Sequence, residues 1–232
     1  MSNPHDFKGI VPPPKTFEEL CGNLNAIMGK NLEELALKAG IPLPISATHG
    51  KGFIGELMEI LLGASASNHS IPDFPQLGLE LKTLPVDAEF KVMESTFLCH
   101  APLTDIRGLT FENSPLFSKI KRVLFIVIDG TRDRDYALRK VLGYFFYSPD
   151  EKELETLRKD YDELYELIKT GQVDRITAHI GQIIQLRPKG ANGKALCDAI
   201  GADGETIKTR PRGFYIRRRF TQELLRKNLQ YK

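Results

Sequence analysis

The sequence predicts an α/β protein built around a mixed β-sheet, on three observations. Segments with helical and with strand periodicity alternate along the chain. Residues 122–129 form a continuous apolar run rich in β-branched residues, which is typical of a central strand covered on both faces. With 232 residues, the chain is long enough to bury a core without disulfide or metal staples. We therefore expect a single domain over 1–232, with two lobes sharing one core, after an irregular proline-rich segment at 1–15.

The first three elements are predicted to be helices. Thr16 and Glu19 form a capping-box pattern, followed by apolar residues at helical spacing. Asn31 caps a second helix, which ends at the next glycine. Apolar residues nearly surround the third helix, at about 53–62, so we expect it to be buried. Glu59 is conspicuous inside that helix.

The later elements alternate between strands and helices. The predicted strands lie near 78–84, 95–101, 122–129, 183–187 and 213–218. The predicted helices lie at 133–146, 151–170 and 194–200, and Thr221 caps a last helix.

Composition excludes several classes of protein. Hydrophobic and charged fractions of 41% and 27% are ordinary for a soluble globular protein. No apolar run reaches about 18 residues, so we expect no membrane span, and the N-terminus has no signal-peptide core. The three cysteines are widely spaced, as in a reduced cytoplasmic protein. The sequence holds no phosphate-binding Gly-rich NTPase loop and no paired histidine ligands.

Charge is unevenly distributed although the net charge is only +2. The C-terminal stretch carries the bases Lys208, Arg210, Arg212, Arg217, Arg218, Arg219, Arg226, Lys227 and Lys232. The stretch at 150–166 is acidic instead. This polarity favours a polyanion that docks on one side, and a solvated basic tail is the alternative.

Asp73, Glu80 and Lys82 read Asp-x6-Glu-x-Lys, in which Glu-x-Lys lies in an apolar stretch. Because strand side chains alternate, we expect Leu79 and Leu81 to face a core while Glu80 and Lys82 share the other face. A metal-dependent phosphodiesterase needs two carboxylates and a lysine that lie close together in this way. Its carboxylates hold Mg²⁺, which prefers oxygen ligands, and the lysine and metal stabilise charge at phosphorus. An exposed ion pair on a strand is the alternative.

Two features favour the catalytic interpretation. Glu59 sits in the apolar helix upstream, and a buried carboxylate usually has a metal, a cation or a role. Asp73 follows Pro72 in a turn that leads to the strand, which suits a ligand supplied by a loop. We therefore expect Asp73 and Glu80 to bind the metal and Lys82 to position water. Glu59 is then an outer-sphere or second-metal carboxylate.

Basic residues stand beside glycines in two loops, 49–52 and 187–190. Glycine lets the backbone approach a phosphate or a base edge closely, and arginine can hold guanine with two hydrogen bonds. An ordinary turn with surface charges is the alternative for either loop. Lys119, just before the central strand, is either a solvated flank or a phosphate contact.

The stretch at 212–218 alternates aromatic and basic residues next to a glycine, as nucleic-acid-binding surfaces often do. If it is a strand, Phe214 and Ile216 face inward and Tyr215 faces outward among arginines. Arg212 and Tyr215 are therefore candidate DNA contacts.

Together these residues resemble the MutH family, the strand-nicking endonucleases of bacterial methyl-directed mismatch repair. The matching stretches are 57–66, 73–74, 77–83, 96–97, 101–104, 186–189 and 211–215. The likeness spans roughly 16–228 and is more specific than Glu-x-Lys alone.

The resemblance implies a type II restriction-endonuclease fold with two arms around a DNA-binding cleft. It also implies a Mg²⁺-dependent enzyme that nicks the unmethylated strand at hemimethylated GATC, 5′ to the G. Such an enzyme is activated by MutL, which mismatch-bound MutS recruits, and we expect it to act as a monomer.

Residue roles follow from the resemblance by position. The implied active site consists of Glu59, Asp73, Glu80 and Lys82, with Lys119 as an auxiliary lysine. The implied DNA contacts are Lys51, Arg187, Lys189 and Tyr215. Tyr215 is expected near the adenine whose methylation is sensed, and Glu94 is expected to contribute to that choice. Gly190 and Gly193 depart from the family pattern, in which alanines are expected.

Two other functions stay open at this point. A restriction endonuclease of the same fold would cut both strands at GATC, usually as a dimer. A DNA-binding module with inactive chemistry is the second, and the intact Asp, Glu and Lys argue against it.

Overall fold

The computed structural model describes residues 11–46, 52–66, 71–190 and 192–229, so Lys51 lies outside the described residues. The chain divides into two compact units. Unit 1 comprises Met1–Glu94, Arg122–Tyr147 and Gln222–Lys232, and unit 2 comprises Ser95–Lys121 and Ser148–Thr221. Each unit therefore combines segments that are distant in the sequence.

Helices and strands alternate along the chain, as the sequence predicted. The helices are α1 (Phe17–Ile27), α2 (Leu32–Ala39), α3 (Phe53–Leu62), α4 (Pro115–Ile120), α5 (Glu151–Lys169) and α6 (Arg218–Asn228). The strands are β1 (Glu80–Val86), β2 (Thr96–His100), β3 (Val123–Asp129), β4 (Val141–Tyr147), β5 (Ile184–Pro188), β6 (Cys197–Ile200), β7 (Thr206–Thr209) and β8 (Arg212–Ile216).

Unit 1 contains a mixed sheet in the order β1-β3-β4. β1 is parallel to β3, whereas β4 is antiparallel to β3, so β3 is central and β1 lies at an edge. Every residue of β3 is buried, which confirms the prediction of a covered central strand. Apolar faces of α1, α2 and α3 share one core with alternate strand residues, among them Leu79, Leu81, Leu124 and Ile126.

The caps of these helices also agree with the sequence. The Thr16 hydroxyl accepts a hydrogen bond from the Glu19 N–H at the start of α1. Asn31 and Glu34 form a complete capping box at α2, and Gly40 ends that helix in the left-handed conformation.

Unit 2 contains an antiparallel sheet in the order β2-β8-β5, and a separate β6-β7 pair. α5 packs on β5. The ring of Tyr161 on α5 stacks on Phe214 at 5.9 Å, so the Phe214 side of β8 faces the core. Burial raises the pKa of Tyr161, which keeps this core phenol neutral. The mixed α/β class is therefore confirmed.

The predicted helix at 133–146 is wrong. This segment has only a short 3-10 turn, Tyr136–Leu138, followed by β4. Burial alternates along β4, with Val141, Gly143, Phe145 and Tyr147 inside, which is the two-residue period of a strand. Pairing with β3, a tertiary contact, decides the conformation.

The predicted helix at 194–200 is also wrong, because 197–200 forms β6 and pairs with β7. The sequence analysis missed β7 and the short helix α4. Thr221 does not cap the last helix, because α6 begins at Arg218. Instead, the buried Thr221 hydroxyl donates to the Arg218 carbonyl inside the helix at 3.1 Å.

Among the described residues, no helix combines the length and the hydropathy that crossing a membrane requires.

Candidate active site and DNA-binding face

A tight loop before β1 brings Asp73 opposite Glu80. Phe74 and Leu79 exchange both main-chain hydrogen bonds, at 2.9 and 3.2 Å, around the 3-10 turn Pro75–Leu77. Gly78, with φ 60°, closes this turn in the left-handed conformation. In an antiparallel register the next pair outward from 74 and 79 is 73 and 80. The six-residue spacing in Asp-x6-Glu is thus the length of this loop.

The edge position of β1 explains how the Asp73 side chain is held. The Glu80 N–H points toward β3 and donates to the Arg122 carbonyl at 3.0 Å. The next N–H, that of Leu81, points the other way and donates to Oδ2 of Asp73 at 2.7 Å. A sheet edge leaves such N–H groups unpaired, and the Asp73 carboxylate satisfies this one. It therefore lies beside the peptide group that joins Glu80 to Leu81.

Glu80 and Lys82 lie on the same face of β1 and form an ion pair. Lys82 Nζ donates to Glu80 Oε1 at 2.7 Å. The Glu80 side chain is only 2% exposed and that of Lys82 18%, so this is not the exposed surface pair that the sequence left open. A buried carboxylate needs a cation or hydrogen-bond donors, and Lys82 provides one here. Asp73, Glu80 and Lys82 are hereafter called the carboxylate–lysine site.

Glu59 lies in the last turn of α3, which packs on β1. Its side chain is half-buried, less than the expected burial of its helix suggested. A main-chain bond from Ser65 N to the Asp73 carbonyl, at 3.0 Å, ties the segment after α3 to Asp73. Within the described residues, no three His, Cys, Asp or Glu side chains are grouped to hold a metal ion. The metal role of Glu59 therefore stays a prediction.

The auxiliary positions fall in different parts of the molecule. Lys119 lies in the last turn of α4, in unit 2, and is 5% exposed. Glu94 is exposed in unit 1, before β2. Lys51 is outside the described residues, and its predicted DNA contact stays a prediction, as do those of Lys119 and Glu94.

Unit 2 carries a sheet face on which cations lie over aromatic rings. Tyr215 of β8 pairs with Phe97 of β2, and their rings meet edge to face at 5.3 Å. The Arg187 guanidinium lies 5.5 Å from the Tyr215 ring centre, and Lys189 Nζ lies 4.8 Å from that of Phe97. These are cation–π distances. Phe97, Arg187, Lys189 and Tyr215 are hereafter called the aromatic–cation face.

This face turns away from the core of unit 2. Tyr215 lies between Phe214 and Ile216, which are both buried, and strand side chains alternate. The predicted outward direction of Tyr215 is therefore confirmed. Gly213 completes the face, because a Cβ there would lie 2.7 Å from the Phe97 ring and 3.2 Å from Cβ of Lys189.

Arg212 is placed differently from the other predicted DNA contacts. Its guanidinium donates to the Val173 carbonyl at 3.3 Å and lies 3.7 Å from a carboxylate oxygen of Asp174. The Arg212 side chain is only 10% exposed. This placement favours a structural role inside unit 2, and its predicted contact with DNA has no support from the contacts.

Sequence reasoning did not select Phe97 as a site residue. The signal that identifies it is the cross-strand pair with Tyr215, and that pair requires knowledge of which strands are neighbours. The chain alone shows only an aromatic residue in a short strand far from Tyr215.

Comparison with known proteins identifies what the chain resembles. A family model described as "DNA mismatch repair enzyme MutH" matches residues 62–160. "DNA mismatch repair protein MutH" of Klebsiella pneumoniae is 48% identical over 216 residues, covering 93% of this chain and 94% of that protein. The protein of the same name from Enterobacter sp. is 48% identical over 226 residues, which cover 96% of this chain and 98% of that protein. The one from Escherichia coli O127:H6 is 47% identical and covers 97% of both chains.

Proposed function

Because this chain belongs to the MutH family and is an endonuclease of DNA mismatch repair, we propose that it nicks the unmethylated strand at hemimethylated GATC, 5′ to the G, with Mg²⁺ as cofactor. Its helices, its mixed sheet and its antiparallel sheets form the restriction-endonuclease-like α/β fold. The observation that carries the proposal is the meeting of Asp73 with the Glu80–Lys82 pair at the start of one edge strand.

Mg²⁺ fits the donor groups of the carboxylate–lysine site. The ion is usually bound through one or two carboxylates and keeps several waters, so Asp73 and Glu80 suffice. The Leu81 N–H engages Oδ2 of Asp73, and the carboxylates of Asp73 and Glu80 would hold the ion. When bound, Mg²⁺ acts as a Lewis acid on the phosphate and lowers the pKa of a bound water. Glu59 is proposed to act outside this pair, through water or a second ion.

The chain's own groups orient the reaction. The Leu81 bond holds the Asp73 carboxylate in one direction, so it need not be reorganised when DNA binds. Lys82 already stands beside Glu80. Near a scissile phosphate the same ammonium would donate to the attacking water or to a phosphate oxygen, where negative charge develops. Lys119 is proposed to contact a phosphate as an auxiliary lysine.

We propose that the aromatic–cation face contacts DNA. Arg187 is exposed there and is suited to a bidentate contact with guanine. Tyr215, whose ring is fixed between Arg187 and Phe97, is proposed to lie near the adenine of the site and to sense its methylation. Lys189, Lys51 and Glu94 are proposed to support this recognition.

The proposed partners follow from the family. We propose that MutL activates this endonuclease after MutS has bound a mismatch, and that the nicking enzyme is a monomer in the bacterial cytoplasm.

A nicking assay tests the proposal directly. Three duplexes that differ only in the methylation of one GATC site are incubated with Mg²⁺, and again with a chelator. We expect one cut, in the unmethylated strand of the hemimethylated duplex, and no cut in the fully methylated duplex or with chelator. Adding MutL should raise the rate.

Two results would contradict the proposal. Simultaneous cutting of both strands, with dimers in solution, would identify a restriction endonuclease instead. Binding to GATC without any cut, with MutL and Mg²⁺ present, would identify a module without catalytic activity.

A further inference from the structure

One buried carboxylate of unit 2 holds the beginning of β5. Asp160 lies on α5 and is 3% exposed. Its Oδ1 accepts from the Gln182 N–H at 2.7 Å, and its Oδ2 accepts from the N–H groups of Ile183 and Ile184 at 2.7 and 3.0 Å. Three consecutive main-chain donors thus converge on one carboxylate. Residues 180–184 are hereafter called the β5 entry.

A second side chain holds the same segment from the β8 side. Arg217, which directly follows β8, donates through Nη2 to the Ile180 carbonyl at 2.7 Å, and its N–H donates to the Ile183 carbonyl at 2.8 Å. The φ of 89° at Gly181 turns the chain toward Asp160. A Cβ there would lie 2.2 Å from the Ile184 carbonyl oxygen, so only glycine fits this turn.

The β5 entry determines which residues of β5 face outward. In the observed register Ile184 pairs with Ile216, and Arg187 pairs with Gly213. Ile184 and Leu186 are buried, whereas Arg187 is exposed. A slip of one residue would exchange the two faces of the strand. It would turn Arg187 toward the core and an isoleucine toward solvent.

We propose that Asp160 is a positioning residue for DNA recognition. It touches no DNA, and it fixes the register of β5 so that Arg187 lies over Tyr215. The inference depends on the proposed function, because it takes the aromatic–cation face as the surface that recognises GATC. A carboxylate suits this role because its two oxygens only accept hydrogen bonds, so three main-chain N–H groups can donate to it.

Asp160→Asn tests the role with little change in volume. Its amide group has one acceptor oxygen and brings two donors against main-chain N–H groups. Asp162→Asn is the matched control, since Asp162 lies on the same helix and is exposed. Both variants are first shown by circular dichroism to be folded at the assay temperature. Fluorescence anisotropy then measures the Kd for a GATC duplex and for a duplex with the site scrambled.

We expect the preference for GATC, the Kd for the scrambled duplex divided by the Kd for the GATC duplex, to fall. Asp160→Asn should bind the GATC duplex about tenfold more weakly and the scrambled duplex as well as the wild type does. Asp162→Asn should keep both constants. If Asp160 had a purely structural role, both Kd values would rise in proportion to the unfolded fraction. An unchanged ratio of the two Kd values in a folded Asp160→Asn protein would therefore overturn the inference.

If Asp160→Asn does not fold, a second variant tests the inference. Arg217→Lys keeps the charge but loses the guanidinium contact with the Ile180 carbonyl. Arg217→Lys should lower the preference for GATC, which is the Kd for the scrambled duplex divided by the Kd for the GATC duplex. A preference equal to that of the wild type would overturn the inference. A wild-type protein that does not prefer GATC over the scrambled duplex would instead reject the proposed function itself. The two failures are thus distinguished.

Discussion

The two regions of this endonuclease that we propose for catalysis and for DNA binding hold their charged groups in opposite ways. In the carboxylate–lysine site, main-chain N–H donation and a 2.7 Å ion pair restrain the buried Glu80 and the half-buried Asp73 and Lys82. On the aromatic–cation face, Arg187 and Lys189 lie over aromatic rings, and the Arg187 side chain is exposed. The carboxylate–lysine site thus restrains its charges where water is partly excluded, whereas the aromatic–cation face exposes the Arg187 charge to solvent.

We infer that this difference separates the proposed catalytic site from the proposed DNA-binding face. Electrostatic interactions are stronger where water is excluded, so restrained groups around the buried Glu80 suit the stabilisation of charge at a reacting phosphate. Exposed cations are screened by salt and release counterions when DNA binds. We therefore expect substitutions in the first region to affect the rate of nicking and those in the second to affect affinity and specificity.

The largest effect is expected at the buried pair. Lys82→Ala and Glu80→Gln should each lower the single-turnover nicking rate about 10³-fold, because they remove charge stabilisation at the reacting phosphate. The Kd for DNA should stay within about twofold of the wild-type value for Lys82→Ala. Quench-flow and anisotropy measure the two quantities.

Glu89→Gln is a control for these variants, since Glu89 is exposed in the same unit. Nicking by Lys82→Ala at the rate of this control would remove Lys82 from the mechanism.

A smaller effect is expected from Arg187→Ala on the exposed face. Loss of a bidentate base contact costs about 1–3 kcal/mol, which corresponds to a 5- to 150-fold higher Kd for the GATC duplex. Binding to scrambled DNA should weaken much less. Arg175→Ala removes the same charge from another exposed position of unit 2. Equal effects of both variants on both duplexes would reduce Arg187 to a general phosphate contact.

Lys82→Met tests how the Lys82 ammonium group affects Mg²⁺ binding in the carboxylate–lysine site. Because Lys82 neutralises Glu80 in the structure, a divalent ion held by Glu80, as we propose, would compete with the Lys82 ammonium group. The neutral variant should bind Mg²⁺ on the order of threefold to tenfold more tightly, although it should nick far more slowly than the wild type. Calorimetry without DNA measures this, with the exposed Lys91→Met as the control. Weaker Mg²⁺ binding than in wild type would contradict the competition.

The smallest effect is expected from Tyr215→Phe, which keeps the ring contacts with Phe97 and Arg187. Loss of one hydroxyl hydrogen bond costs about 0.5–1.5 kcal/mol. The ratio of nicking rates on hemimethylated and fully methylated GATC should therefore fall about two- to tenfold, while affinity for unmethylated GATC changes less. An unchanged ratio would place methylation sensing outside the Tyr215 hydroxyl.

Local patterns predicted much of unit 1. The β-branched run of β3, the Asn31 cap and the alternation around Glu80 each depend on neighbours within a few residues. Such signals are visible in one sequence because covalent spacing determines them. The Asp-x6-Glu-x-Lys motif belongs to the same class, since one tight turn sets its spacing.

Predictions failed where a distant strand decided the outcome. β4 and β6 were interpreted as helices because their partners, β3 and β7, are not apparent from local periodicity. The contact of Arg212 with DNA stays a prediction, and only the fold shows its guanidinium against Val173 and Asp174. Phe97 was not selected because its partner Tyr215 lies on a non-consecutive strand.

By itself, the sequence determined the chemistry available to this protein: two carboxylates and a lysine at one strand, and a basic, aromatic C-terminal stretch. Only the tertiary structure decided that Glu80 is buried against Lys82, that Phe97 supports Lys189, and that Asp160 holds the β5 entry. The physical reason is that side-chain type and spacing are local, whereas burial and strand pairing depend on segments that meet only when the chain has folded.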